Sequence, residues 1–144
     1  MSEGVFMSER IKDIILFVIF GTIYVLIEIA WRGYSHPSMW FVGGLVGLFA
    51  SIQNRQTEWQ VPLWKQILRV DLFVLACEFI FGFILNILLG LNVWNYSDMP
   101  CNIMGQVCLP FAIIWLPLCA VAIILDDYLE YWFFKGDKPT YKFF

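Results

Sequence analysis

The sequence predicts an all-α integral membrane protein, a four-transmembrane-helix bundle that occupies residues 1–144 as a single membrane domain. Three observations support this. Of the 144 residues, 60% are hydrophobic and 15% charged. With a mean hydropathy of +0.73, the chain is too apolar for a soluble domain with a covered core. Four apolar stretches, residues 14–31, 37–52, 66–91 and 106–125, approach the roughly 20 residues that a helix needs to cross hydrocarbon. Finally, Lys and Arg gather at every second connection, which puts them on one side of the membrane, as they do around membrane spans.

Residues 8–13 form a polar lead into the first span. On that span Gly21, Glu28 and Arg32 share a face, because separations of seven and four residues nearly close whole helical turns. Glu28 therefore reaches Arg32, and two readings stand. Either the two make an intrahelical pair with Arg32 snorkelling to the outer interface, or they meet a ligand. Glu28, Trp31 and Arg32 stand where a signal-peptide cleavage site would need small residues, so the span is expected to persist.

Tyr34-Ser35-His36-Pro37 turns the chain into a short second span, with Ser35 as a candidate cap and Pro37 suited to a first helical turn. Gly43 and Gly47 form a GxxxG pattern that lets another helix backbone approach closely, within the chain or between chains. The connection over residues 53–65 carries Trp59, Pro62 and Trp64, expected at headgroup level. The third span exceeds what a bilayer requires and should tilt or project inward. Asp71, Glu78, Gly82 and Asn86 lie on one narrow stripe of it, which should face protein. A carboxylate in hydrocarbon costs about 2.5–3.5 kcal/mol on insertion scales, so Glu78 is expected to meet a partner, a cavity or a substrate.

The outer connection, residues 92–105, has no Lys or Arg and is polar, aromatic and acidic. Trp94 and Tyr96 suit an interfacial belt, while Asn95, Asp98 and Asn102 could form a lid. The fourth span holds Pro110 and Pro117, each of which removes a backbone donor and can bend a helix. Residues 126–144 are expected to be an amphipathic tail at the inner interface.

The inner side collects Arg10, Lys12, Arg55, Lys65, Arg69, Lys135, Lys138 and Lys142, against Arg32 alone outside. Both termini should be cytoplasmic. The formal charge of −3 without a basic stripe argues against a nucleic-acid partner. Cys77, Cys101, Cys108 and Cys119 match no zinc spacing. A helical Cys101 and Cys108 would stand about 10 Å apart, too far to bridge, although a loop position for Cys101 leaves the pairing open. His36 is the only histidine, no nucleophile–base spacing or HExxH is present, and neither metal, cofactor nor catalysis is expected.

Tyr34-Ser35 precedes Gly43 as Tyr96-Ser97 precedes Gly105, each after a glutamate-bearing helix. Two pseudo-repeated helical hairpins would produce such an echo, and so would chance recurrence of turn residues.

The segments RGYSHPSMWFVGGL, residues 32–45, and CEFIFGFILNILLGLNVWNYSDMPCNIMGQVCL, residues 77–109, resemble the bacterial membrane family described as type IV ABC-transporter permeases, the CmpB-like family. The family pattern falls here on Glu78, Gly82, Leu85-Asn86, Trp94, Tyr96-Ser97, Pro100, Asn102 and Gly105-Gln106. Asn95 departs from it, standing where the family usually has an acid. The resemblance implies a transport role in the bacterial cytoplasmic membrane. Because the chain has no GxxxxGK[ST] loop, any ATPase would be a separate chain, and the inner connection offers it little docking surface.

The expected function is a small transporter or permease subunit that binds a cation or small polar solute at an intramembrane acidic site. The candidate binding residues are Glu78, Asn86, Glu28 and Arg32, with Trp94, Tyr96, Asp98, Asn102 and Gln106 from the outer connection. One copy encloses little space, so a homodimer joined through glycine faces is expected. The alternative is a non-transporting binding or assembly subunit of a larger complex, in which Glu78 and Asn86 satisfy neighbours and the outer loop is the recognition surface.

Overall fold

A computed structural model describes residues 8–56 and 61–142. Ser8 caps the first helix, α1 (Glu9–Arg32), with its side chain accepting from the Ile11 N–H. Gly33 closes it in the left-handed region at φ 81°, its N–H donating to the Ile29 carbonyl, a conformation glycine adopts without a Cβ penalty. Four residues later the chain enters α2 (Pro37–Gln56). Ser35 does not cap it: its hydroxyl donates instead to Glu28 at 3.1 Å. The His36 Nδ1 accepts the Ser38 N–H at 3.2 Å, so the imidazole takes the capping role. Next come α3 (Leu63–Gly82), a π-helical segment (Phe83–Leu88) that continues it, and α4 (Leu109–Phe133). The described residues hold no strand, only an isolated antiparallel bridge between Ile103 and Val107.

Three helical stretches are long and apolar enough to cross a membrane: Glu9–Arg32, Leu63–Leu88 and Leu109–Phe133. The second helix, which the sequence marks as the short one of four spans, is not among them. It carries three glycines and a Gln-Asn-Arg-Gln end, and protein covers it instead. Val42, Val46, Ala50 and Ser51 are buried where α2 packs against α1, α3 and α4. Large side chains such as Ile14, Leu26, Leu72, Ile80, Ile113 and Val121 are exposed around the outside, as a surface facing acyl chains requires.

The second helix nonetheless returns the chain to the end where it began. Arg55 pairs with Glu9 and with Asp13, the latter at 2.6 Å. Lys12 lies 3.9 Å from Glu130 near the end of α4. The start of α1, the end of α2 and the end of α4 thus share one end of the bundle. Arg32 stands at the other, donating to the Val93 carbonyl at 3.2 Å.

The glycine face is used within the chain. A Cβ on Gly47 would stand 2.2 Å from the Phe20 ring, one on Gly43 2.5 Å from Tyr24, and one on Gly44 2.6 Å from Phe17. The side chains of α1 rest directly on the α2 backbone, so a homodimer would need another face. Pro110 sits in the first turn of α4, where its missing N–H leaves no bond unmade, while Pro117 lies inside the helix. The expected tail helix is instead the continuation of α4 to Phe133. Beyond it the chain doubles back, and the Lys142 carbonyl accepts the Leu63 N–H at 2.7 Å. That bond serves an α3 start whose Pro62 offers no side-chain cap. Of the residues expected at headgroup level, Trp64 is exposed and Trp59 lies outside the described residues.

The echo between the two hairpins does not extend to its glycines. Gly43 is helical and packed, whereas Gly105 lies in the connection before α4 at φ 73°. All four cysteines are free.

Candidate functional site

The polar stripe of α3 faces inward, with Asp71, Glu78 and Gly82 all buried. Glu78 is only 6% exposed. Its Oε1 accepts the Trp115 indole N–H at 3.1 Å, and its Oε2 is buried without a hydrogen-bond partner. Among the described residues no cation pairs with this carboxylate. Leaving a buried acceptor unmatched costs about 1–3 kcal/mol, more when it is charged.

Two helices hold the donor in place. The Trp115 ring on α4 stacks on Tyr24 of α1, with centroids 5.3 Å apart and planes 18° from parallel. One turn beyond Tyr24, Glu28 accepts from Arg32 at 2.8 Å and from Ser35. The intrahelical pair is therefore made, and Arg32 also lies over the Tyr34 ring at 4.5 Å.

A cavity of about 390 Å³ opens between α1 and α4, with Glu78 at its back and Trp94 and Tyr96 over its outer end. Most of its remaining wall is apolar, supplied by Ile27, Trp31, Phe111, Ile114 and Leu118. A void of about 30 Å³ adjoins it, reached by Glu78, Glu28 and Arg32 together, which is room for a water-sized group. Tyr96 is fixed by stacking on Phe111 at 4.8 Å. Burial, reinforced by the nearby Glu78 charge, pushes its phenol well above the ordinary range, so it stays protonated.

The other expected binding residues do different work. Asn86 accepts the Val93 N–H at 2.7 Å and donates to Gln106 Oε1 at 2.8 Å. Gln106 donates to the Met104 carbonyl, and its own carbonyl accepts from Trp94 at 3.0 Å. Asn102 donates to Met99 and accepts from Gly105. These amides satisfy backbone groups that a loop without regular pairing would leave unmatched. Gly82 permits the arrangement, since a Cβ there would meet Gln106 Oε1 at 2.5 Å and Trp94 at 2.9 Å. Asp98 is exposed and lines none of the voids around Glu78.

The structure thus brings Glu78, Glu28, Arg32, Trp94 and Tyr96 to one cavity and assigns Asn86, Asn102 and Gln106 to its roof. Sequence reading missed Tyr24, Phe111 and Trp115. Tyr24 was findable, because it lies one turn from Glu28 on the same face. It also missed Asp126 and Asp127, both buried, which receive bonds from Asn54 at 2.8 Å and Tyr141 at 2.7 Å. Two successive acids in an apolar helix were the signal there. No group of three or more His, Cys, Asp or Glu able to hold a metal occurs among the described residues.

A family model described as "Putative ABC-transporter type IV" (CmpB) matches residues 14–140. No curated protein and no solved structure matches the chain.

Proposed function

The chain belongs to this CmpB family of ABC-transporter type IV proteins, and from that premise we propose that it is a small membrane transporter or permease subunit. It binds a cation or small polar solute at Glu78. The observation that carries this reading is the carboxylate itself: buried, bonded through one oxygen only, and opening on a cavity. Among the described acids with an unmatched buried oxygen, which include Asp71, Asp126 and Glu130, Glu78 is the one that lines this cavity.

The helices cross the bilayer four times, with the self-covered α2 as the return leg and both termini on the cytoplasmic side of a bacterial inner membrane. Arg55, Lys65 and Arg69 then flank the inner connection, as the distribution of positive charge favours. The cavity lies toward the outer half, roofed by the braced loop.

Uptake by proteoliposomes, with methylammonium, guanidinium and potassium as probes, tests the assignment. At least one is expected to move, and Glu78→Gln should slow it about tenfold or more, the scale of losing a buried charge partner. Equal rates in the two proteins would remove Glu78 from the function.

A further inference from the structure

The walls around Glu78 narrow the choice of ligand. A hard metal cation takes six or more oxygens, yet the carboxylate offers one unpartnered oxygen, and its surroundings are largely rings. An anion finds little positive charge there, because Arg32, the cationic side chain in the wall, is paired with Glu28 and bonded to the Val93 carbonyl, with its buried Nε alone lacking a partner. Glu78 is left as the charge without compensation. Aromatic faces beside a carboxylate attract organic ammonium groups, whose charge is spread over alkyl substituents and is less costly to strip of water.

The shape adds a second constraint. The first helix packs on α2, and α4 on α2 and α3, so α1 and α4 meet chiefly through long side chains, among them the Tyr24–Trp115 stack. Beside the main cavity, sharing Tyr24, Ile27, Trp115 and Leu118 with it, lies a groove of about 70 Å³ with a wholly apolar wall, bounded by Phe20 and Ile23 on one side and Leu118 and Val121 on the other. Gly43 and Val46 of α2 form its floor. A ligand with only a small polar head would leave this groove unused. One with an alkyl or aryl body would fill it, and the body would gain about 0.8 kcal/mol for each buried methylene.

Resting on the Glu78 reading above, we propose that the ligand is an amphipathic organic ammonium. Its head meets the free oxygen of Glu78 among Tyr24, Trp94, Tyr96 and Trp115, and its apolar body lies between α1 and α4. Because the gap between those helices is walled by apolar side chains at bilayer depth, the ligand reaches it sideways from the membrane.

The full chain in phosphatidylcholine nanodiscs, titrated with octyltrimethylammonium, tetramethylammonium, octanol and sodium, provides the test. Titration calorimetry and the emission of Trp31, Trp94 and Trp115 report binding. Octyltrimethylammonium is expected to bind about tenfold or more tightly than tetramethylammonium. Glu78→Gln should weaken it by about tenfold or more. Val121→Trp adds bulk at an exposed groove position away from the head-group cavity, where folding is not at stake. It should weaken the octyl compound and leave tetramethylammonium unchanged. Octanol binding as tightly as the ammonium, with Glu78→Gln silent, would overturn the proposal and identify a site for lipid tails. Glu78-dependent uptake of guanidinium or potassium without ammonium binding would also overturn it, while leaving the proposed function standing.

Discussion

The two hairpins of this molecule are built on opposite plans. Between α1 and α2, glycines remove the side chains from one surface, Phe17, Phe20 and Tyr24 press onto bare backbone, and the connecting turn is four residues long. Between α3 and α4 a π-helical segment and a long connection intervene, and the contact includes Glu78 with Trp115. The first hairpin closes by shape along its length, with the Arg55 ion pairs at its end. The second is held by polar bonds, and the cavity opens on its side of the bundle. Small residues therefore determine where helices cannot part, and large amphipathic ones determine where a ligand could enter.

The contrast can be broken most severely at Gly47. Gly47→Val would drive a side chain into Phe20, and because the obstruction involves the Phe20 Cβ, 2.3 Å away, no rotamer change relieves it. A loss of about 3 kcal/mol or more is expected, read as a lower unfolding midpoint in detergent. A variant as stable as the parent would mean that the glycine face is not what closes the first hairpin.

Asn86→Ala acts on the second plan. It orphans the Val93 N–H and one side of Gln106, so the roof should loosen by about 1–3 kcal/mol. Hydrogen exchange should accelerate over residues 93–107 with little change in α1 or α2. Gly82→Ala presses on the same roof from below, at Gln106 and Trp94, with an expected cost of about 1–2 kcal/mol. Its signature is a shift of tryptophan emission, and an unchanged spectrum would show that the loop is not seated on α3.

Trp115→Phe sharpens the comparison more gently. The ring and its stack on Tyr24 survive, but Glu78 loses its donor, so stability should fall by about 1 kcal/mol while uptake of the cation probes changes. The smallest effect belongs to Asp98→Asn, an exposed change expected to stay within about 0.5 kcal/mol and to leave uptake unaltered.

The helices were legible because their signals are local. Pro37 marks a helix start through its fixed backbone and the stripe from Asp71 to Asn86 shows in spacing alone, whereas Ser8 and Gly33, which cap α1, were not singled out. Glu78 was legible for the same reason: its isolation in an apolar run is visible without neighbours. What escaped depended on partners. The amides of Asn86, Asn102 and Gln106 look the same whether they face a solute or the orphan backbone groups of a loop, and the loop's path decides. The glycines announced a close contact but could not say whose helix would make it. The end of α4 was set too early, because Asp126 and Asp127 read as an exit into water, whereas Asn54 and Tyr141 receive them inside. Trp115 looked like any tryptophan of a membrane span until α1 and α3 were brought beside it.

The π-helical segment carries a consequence of its own. Each of its wide turns accommodates an additional residue within a continuous column of bonds, as in the Leu89 N–H reaching back to Ile84. Excising a single residue from Phe83–Leu88 would let the column relax to ordinary α pairing, so the helix itself would tolerate the deletion. A π turn holds about 4.4 residues against 3.6, so six residues there sweep nearly the same angle as five in an α-helix, and the roof's anchor would keep its direction toward Gln106. The wide turn thus absorbs one residue of length locally, and a homologous chain one residue shorter here would cover its cavity with the same edge of the loop.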